Sequence, residues 1–239
     1  MKSEYLNRPN QVNTTKEQEI ILERVDRKYA VEEFLNLIGY ERGFLFTVRE
    51  LLFRPDKLIH HYLNTDRNAC TKPVTFLILC SVIYSLITSY LEVDLLSEEQ
   101  LKKQYGTSSV NDVMLWVQNN YGYANILMLV FIAFWTKRFF RKYSYNIYEI
   151  GVLLCFIMGE GMLWFSIHPI VTKFVSNTVF DSVFYLSIVF YVAWAIGQFF
   201  EKGFKSFLKA LFAYLLGFGS FDIVLILVAV AMDLIAKKM

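Results

Sequence analysis

Two carboxylates near the middle of long apolar stretches are the residues of this chain best placed to do chemistry. Glu160 lies about twelve residues into the stretch 148–168, and Asp222 lies about fifteen residues into 207–236. A charge at the centre of a bilayer costs roughly 2.5–3.5 kcal/mol on insertion scales, so such groups usually face a bundle interior or a water-filled path. No Lys or Arg lies deep in these stretches to pair with them. The two residues predict a membrane protein and favour an ion or proton pathway.

Glu160 has two interpretations. Gly159 and Gly161 flank it, and glycines let a neighbouring backbone or water come close. In the first interpretation Glu160 belongs to a pathway with His168, which shares its helical face and precedes Pro169 at the end of the stretch. In the second, His168 is only interfacial. Glu160 is then a neutral carboxyl that donates a hydrogen bond to Ser, Tyr or Trp on the next helix, because burial disfavours a charge.

Asp222 has the same two interpretations and a third. The run Gly-Phe-Gly-Ser at 217–220 interrupts the apolar stretch just before it. This run predicts a kink, a change to irregular backbone or a close helix contact. If the helix breaks here, Ser220 and Asp222 cap the helix that restarts.

Basic residues before the first apolar stretch form a second candidate site. If this segment binds an anion or an anionic lipid, the residues predicted to hold it are Arg42, Arg49, Arg54 and Lys57. Each Lys or Arg near an anionic leaflet contributes about 1 kcal/mol. The partners expected here are the lipid bilayer, a soluble protein or a small anionic ligand.

Other functional classes find little support. The net charge is only +2, so nucleic acid is not indicated. The three cysteines lack metal or redox spacing, and His60 and His61 fall on different helix faces, so no metal site or cofactor is expected. No phosphate loop or nucleophile–base arrangement is present, which predicts a protein that is not an enzyme.

The elements that must position the carboxylates are helices. Hydrophobic residues make up 55% of the chain and are concentrated after Lys72, which is typical of spanning helices. We predict an all-α integral membrane protein with a flexible tail at 1–15, amphipathic helices at 16–72 and a transmembrane domain at 73–239. The amphipathic segment lies either in the membrane interface or in a small cytosolic helical bundle. About five spans are predicted, at 74–91, 123–136, 148–168, 182–200 and 207–236.

Basic residues set the predicted orientation. The segment to Lys72 and the second and fourth loops hold nineteen Lys and Arg, whereas the other loops and the tail hold five. By the positive-inside rule the N-terminus is cytoplasmic. The location expected is a bacterial inner membrane.

Two patches of the chain resemble a known family. They are Gly-Phe-Leu-Phe-Thr-Val-Arg-Glu-Leu-Leu-Phe-Arg-Pro-Asp-Lys-Leu-Ile at 43–59, continuing to 77, and Phe-Phe-Arg-Lys-Tyr-Ser-Tyr-Asn-Ile-Tyr-Glu at 139–149. The resemblance is to an uncharacterised membrane family of Bacteroidetes-type genomes, known only as a domain of unknown function. It implies the same lead into a first span that opens with proline. Members often begin with a Cys-x-x-Cys zinc ribbon, and this chain has no cysteine before Cys70.

Two functions are expected from these features. The first is a homo-oligomeric ion-conducting or membrane-permeabilising protein lined by acidic residues, since a symmetric ring turns one carboxylate into a ring of charge. Size and architecture are also similar to small multi-span effectors of bacterial antiviral systems. The alternative is a non-catalytic membrane scaffold or sensor that binds a soluble partner through its cytoplasmic helices.

Overall fold

The described part of the protein is entirely helical. The structure is a computed structural model that describes residues 43–91, 108–172 and 178–237. Within these ranges there are eight helices and no strand: α1 Phe44–Phe53, α2 Pro55–Asn64, α3 Pro73–Leu91, α4 Ser109–Asn119, α5 Tyr121–Phe139, α6 Ile147–Thr172, α7 Thr178–Phe200 and α8 Phe204–Ala236. The predicted tail at 1–15, the amphipathic stretch before residue 40 and Arg42 lie outside the described residues.

Four helices are long and apolar enough to cross a membrane, which indicates a membrane protein. They are Pro73–Leu91, Ile147–Thr172, Val179–Phe200 and Phe204–Ala236. They coincide with four of the five predicted spans. The remaining one corresponds to α5, which is helical but carries Asn125 near its start and Lys137 and Arg138 in its last turn. These polar residues lower its hydropathy, so the crossing of the membrane by α5 stays a prediction.

Helix α6 is the centre of the bundle. It packs against α3, α5 and α7, while α8 packs against α5 and α7 and makes no extensive contact with α3. Its most apolar window is 61% buried, against 17–28% for the other three candidate spans. A side chain on α6 is therefore surrounded by protein, whereas much of α3 and α8 faces outward.

Helices α1 and α2 form a cap on one end of the bundle. Pro55 starts α2, where a missing N–H costs nothing and the fixed φ suits a helix. Leu51 of α1 and Ile59 of α2 are fully buried, and the two helices pack on α6 and α7. Tyr62 meets Phe156 of α6 edge to face at 5.5 Å. Two helices therefore lie within the described part of the predicted amphipathic segment, and both bury apolar residues on the bundle; their position relative to a membrane stays a prediction.

Local capping explains where α6 begins. The Asn146 side chain accepts a hydrogen bond from the Glu149 N–H at 2.9 Å, and Glu149 Oε2 accepts one from the Asn146 N–H at 2.7 Å. This reciprocal pair satisfies two donors that an uncapped helix start would leave free. At the other end α6 continues through Pro169 to Thr172, four residues beyond the predicted end of this span.

Candidate functional site

Glu160 is buried in the core of the bundle. Its side chain is 2% exposed, and it lies on α6 between two glycines. A Cβ on Gly159 would lie 2.9 Å from ring atoms of Phe76 and 3.4 Å from the Cα of Leu77. Helix α3 therefore approaches α6 beside the carboxyl, as the flanking glycines predicted. At Gly161 an added Cβ would make only ordinary contacts of 3.7 and 4.0 Å with α7.

The Glu160 carboxyl is only partly satisfied. The indole N–H of Trp164, one turn along the same helix, is the donor nearest to it. Cys80 of α3 and Tyr191 of α7 lie close enough to interact with it electrostatically. Among the described residues its Oε2 atom has no hydrogen-bond partner. In one of the two interpretations Glu160 donates to a neighbouring helix. In the structure the nearest donor belongs to its own helix, and an indole can only donate.

A chain of contacts joins Glu160 to the cap. The Trp164 ring stacks on Tyr191 with centroids 5.6 Å apart and an interplanar angle of 18°. The Tyr191 hydroxyl donates to the backbone oxygen of Leu51 in α1 at 3.1 Å. Three helices, α6, α7 and α1, thus meet through neighbouring groups. A movement of α1 would therefore change the hydrogen bond of Tyr191 and its ring contact with Trp164.

Asp222 lies on an unbroken helix. Helix α8 runs continuously from Phe204 to Ala236, so the predicted break and the capping role that depended on it are wrong. The Ser220 hydroxyl donates to Gly217 O in its own helix at 2.9 Å and accepts from Trp135 at 3.3 Å. The glycine run instead makes the close contact that was the third alternative, since a Cβ on Gly217 would lie 2.6 Å from the Cα of Ile132 in α5.

Glu160 and Asp222 occupy different environments. Asp222 is half-buried on the outward side of the bundle, and its carboxyl has no partner within the described ranges. Both α5 and α7 pack between α6 and α8, which make no extensive contact of their own. Counted from the helix starts at 1.5 Å per residue, Glu160 lies about 20 Å along α6 and Asp222 about 27 Å along α8. The two carboxylates therefore differ in depth along their helices by about 7 Å.

A small cavity marks the centre of α5, α6, α7 and α8. Its volume is about 20 Å³, and its polar lining includes Asn125 and the tyrosines Tyr121 and Tyr214. This volume suffices for about one water molecule. Glu160 does not belong to its lining, although the next residue, Gly161, does.

His168 has a partner that the sequence analysis missed. Its Nε2 atom lies 3.0 Å from Oδ1 of Asp181 at the start of α7. His168 is 8% exposed and packs against the rings of Phe184 and Tyr185, with centroids 5.0 and 4.9 Å away. The only available signal was an acidic residue in the first turn of the helix that follows. The pair joins the ends of α6 and α7.

The basic segments come together at the end of the bundle that carries the cap. Asp56 of α2 pairs with Lys202 at 3.1 Å, and Lys142 pairs with Glu201 at 2.9 Å. The cap, the α5–α6 connection and the α7–α8 connection therefore lie side by side, as the count of basic residues required. The predicted anion-binding residues Arg49, Arg54 and Lys57 are exposed on this end.

Hydrogen bonding fixes the roles of several groups at this end. His60 Nε2 lies 2.9 Å from the backbone oxygen of Phe199, so it is the protonated nitrogen and donates. His61, on another face of α2, is exposed.

Lys142 and Tyr143 donate to Glu201 and hold the pKa of that carboxyl below its usual range. No group of three or more metal-ligating side chains occurs in the part of the chain that the structure describes.

Together these features define an all-helical protein with four candidate spans, a cap at one end and a carboxyl in its core. Among family models, the one described as Protein of unknown function (DUF3667) matches residues 41–85. These residues cover α1, α2 and the first part of α3, which include the first patch that resembles an uncharacterised family. No curated protein and no solved structure matches the chain.

Proposed function

We propose that the protein is a non-catalytic membrane scaffold or sensor whose cap responds to a soluble partner or a small anionic ligand. The observation that carries this proposal is the continuous contact from Leu51 in the cap through Tyr191 and Trp164 to the buried carboxyl of Glu160. A ligand that binds the cap differently in two arrangements of α1 would shift the balance between them. The bundle would then carry the change into the membrane.

Burial of Glu160 favours this function over ion conduction through a single subunit. A residue that lines a conducting path faces water, whereas the Glu160 side chain is 2% exposed and is enclosed by α3, α6 and α7. The exposed cations Arg54 and Lys57 meanwhile give the cap a surface suited to an anion.

The finer topology belongs to the same proposal. The segment up to Lys72 and the second and fourth loops carry nineteen of the 24 Lys and Arg, so we place the end with the cap in the cytoplasm and the bundle in a bacterial inner membrane. The cap then meets cytoplasmic partners directly.

Hydrogen–deuterium exchange of the full chain in nanodiscs tests the link. Tyr191→Phe removes the hydroxyl that holds Leu51 and should speed amide exchange in α1 and α2 by about fivefold, the equivalent of one lost hydrogen bond. Tyr148→Phe is the matched control, because Tyr148 is 82% exposed on α6, and it should change nothing. Equal exchange in both variants would contradict the coupling.

Ion flux from proteoliposomes tests the function itself. We expect K⁺ and H⁺ release no faster than from protein-free liposomes. Release that the wild type supports and Glu160→Gln abolishes would overturn the sensor and establish a pathway through the core.

A second function, a homo-oligomeric conducting protein, draws support from Asp222 alone. A half-buried carboxyl on the outward side of α8, surrounded by exposed apolar residues such as Phe218 and Ile226, is costly in lipid and is better placed against another subunit. Native mass spectrometry of the purified protein distinguishes the two. A monomer would remove this candidate, whereas a ring that Asp222→Asn disrupts would favour it.

A further inference from the structure

A cleft of about 790 Å³ separates the C-terminal half of α3 from the junction of α4 and α5. Its lining includes none of the residues that link Glu160 to the cap, namely Trp164, Tyr191 and Leu51. Hydroxyl groups line one wall and carboxamides line the other. They are Ser85, Thr88 and Ser89 on α3, and Gln118, Asn119 and Asn120 at the junction.

The hydroxyl wall of the cleft includes serines that share one face of α3. Ser81, Ser85 and Ser89 recur every four residues, so they lie on one face of α3. At the floor of the cleft the Ser81 hydroxyl lies against Gly122, where an added Cβ would come within 1.9 Å of Oγ. The atom nearest to that Cβ is the end of the Ser81 side chain, so a larger residue at 122 would first turn this hydroxyl away, and the Ser81 Cβ at 3.2 Å leaves little further room.

The chemistry of the lining selects an uncharged ligand. Among the described residues that line the cleft, none is Asp, Glu, Lys or Arg. A charged group that entered would lose water without gaining a counter-charge, which is costly. Hydroxyls and carboxamides both donate and accept hydrogen bonds. They match a neutral group that carries several hydroxyls.

Apolar residues extend the cleft along α3. Ile78 and Val82 on α3 and Ile126 on α5 belong to the lining and are 49%, 48% and 41% exposed. Their outward surface suits a hydrocarbon chain, and α3 is one of the candidate spans. A ligand that uses both parts of the cleft has a neutral hydroxyl-rich head and an acyl tail.

We propose that this cleft binds a neutral glycolipid, with its sugar between α3 and the α4–α5 junction and its acyl chain beside Ile78 and Val82. The apolar extension favours a lipid over a free sugar as the source of the hydroxyl-rich group. This site does not depend on the function proposed for the cap and Glu160.

Native mass spectrometry of the full chain, purified in a detergent without a sugar head, tests the site. The probes are monogalactosyl diacylglycerol, dioleoyl phosphatidylglycerol, dioleoylglycerol and free galactose. We expect the galactolipid to bind at least about tenfold more tightly than each of the others. Replacing two exposed lining residues, as Ser85→Ala with Asn119→Ala, should weaken its binding by about 25-fold, since each lost hydrogen bond is worth about fivefold.

Two further variants secure the interpretation. Ser187→Ala on α7 is the matched control, because that hydroxyl donates within its own helix, to Phe184 O at 2.6 Å, and does not line the cleft; it should leave binding unchanged. Ser89→Trp fills the cleft from an exposed position and should abolish binding at unchanged thermal stability. Equal retention of phosphatidylglycerol, equal binding of free galactose, or full binding by the double variant would each overturn the proposal.

Discussion

Two glycines separated by one residue on α8 should respond oppositely to the same substitution. A Cβ on Gly217 would lie 2.6 Å from the Cα, 2.7 Å from Cγ1 and 3.0 Å from the backbone nitrogen of Ile132. Backbone atoms cannot rotate away, so Gly217→Ala must separate α5 from α8. Nothing lies within 4 Å of a Cβ on Gly219, so Gly219→Ala adds a methyl group to open space.

The magnitude follows from two opposing terms. Overpacking a close contact costs typically 1–3 kcal/mol, whereas replacing glycine by alanine inside a helix gains about 0.8–1 kcal/mol. Gly219→Ala keeps only the gain and should stabilise the protein by up to about 1 kcal/mol. Because both variants share the propensity gain, the difference between their unfolding free energies isolates the overpacking cost, about 1–3 kcal/mol.

Denaturation in mixed micelles, followed by tryptophan fluorescence, measures this difference. Trp135 bonds to Ser220 at 3.3 Å and so reports on the α5–α8 contact directly. Two alanine variants of equal stability would refute the close approach of α5 to α8. A large loss in Gly219→Ala would instead favour the irregular backbone that the glycine run first indicated.

Three other outcomes are expected. Glu160→Gln keeps an acceptor for Trp164 and should change the unfolding free energy by less than about 1 kcal/mol; a loss of about 3 kcal/mol or more would reveal a paired charge. Burial, and to a lesser extent the nearby Asp66, raises the pKa of the Cys70 thiol to about 12. Peptide mass spectrometry should therefore find Cys70 unmodified by maleimide at pH 7.5 until the protein unfolds. Rapid labelling of the folded protein would contradict the burial of Cys70. Lys142 lowers the pKa of Glu201. The wild type should therefore be more stable than Glu201→Gln at pH 7, and this difference should vanish as the pH falls below about 4. Thermal melting of both forms checks this, and a difference that persists in acid or is insensitive to salt would show a contact other than the ion pair.

Hydropathy and periodicity alone determined the class of fold. Long apolar stretches can satisfy their backbone in a bilayer only as helices, so the four candidate spans followed from composition and spacing. Pro55 fixed the start of α2 in the same way, because a proline fits the first helical turn and little else. The basic segments, read as one side of a membrane, do meet at one end of the bundle.

Tertiary structure decided which residues share an environment. Glu160 and Asp222 look alike in sequence, yet the packing of α5 and α7 between their helices puts one in the core and leaves the other half-exposed. The partners His168–Asp181 and Tyr191–Leu51 lie on different helices, and no periodicity within one helix can reveal them. Gly217 behaves as a contact and not a break because Ile132 of another helix fills the space beside it. Local sequence sets what a helix can do, but its neighbours determine which of those possibilities is realised.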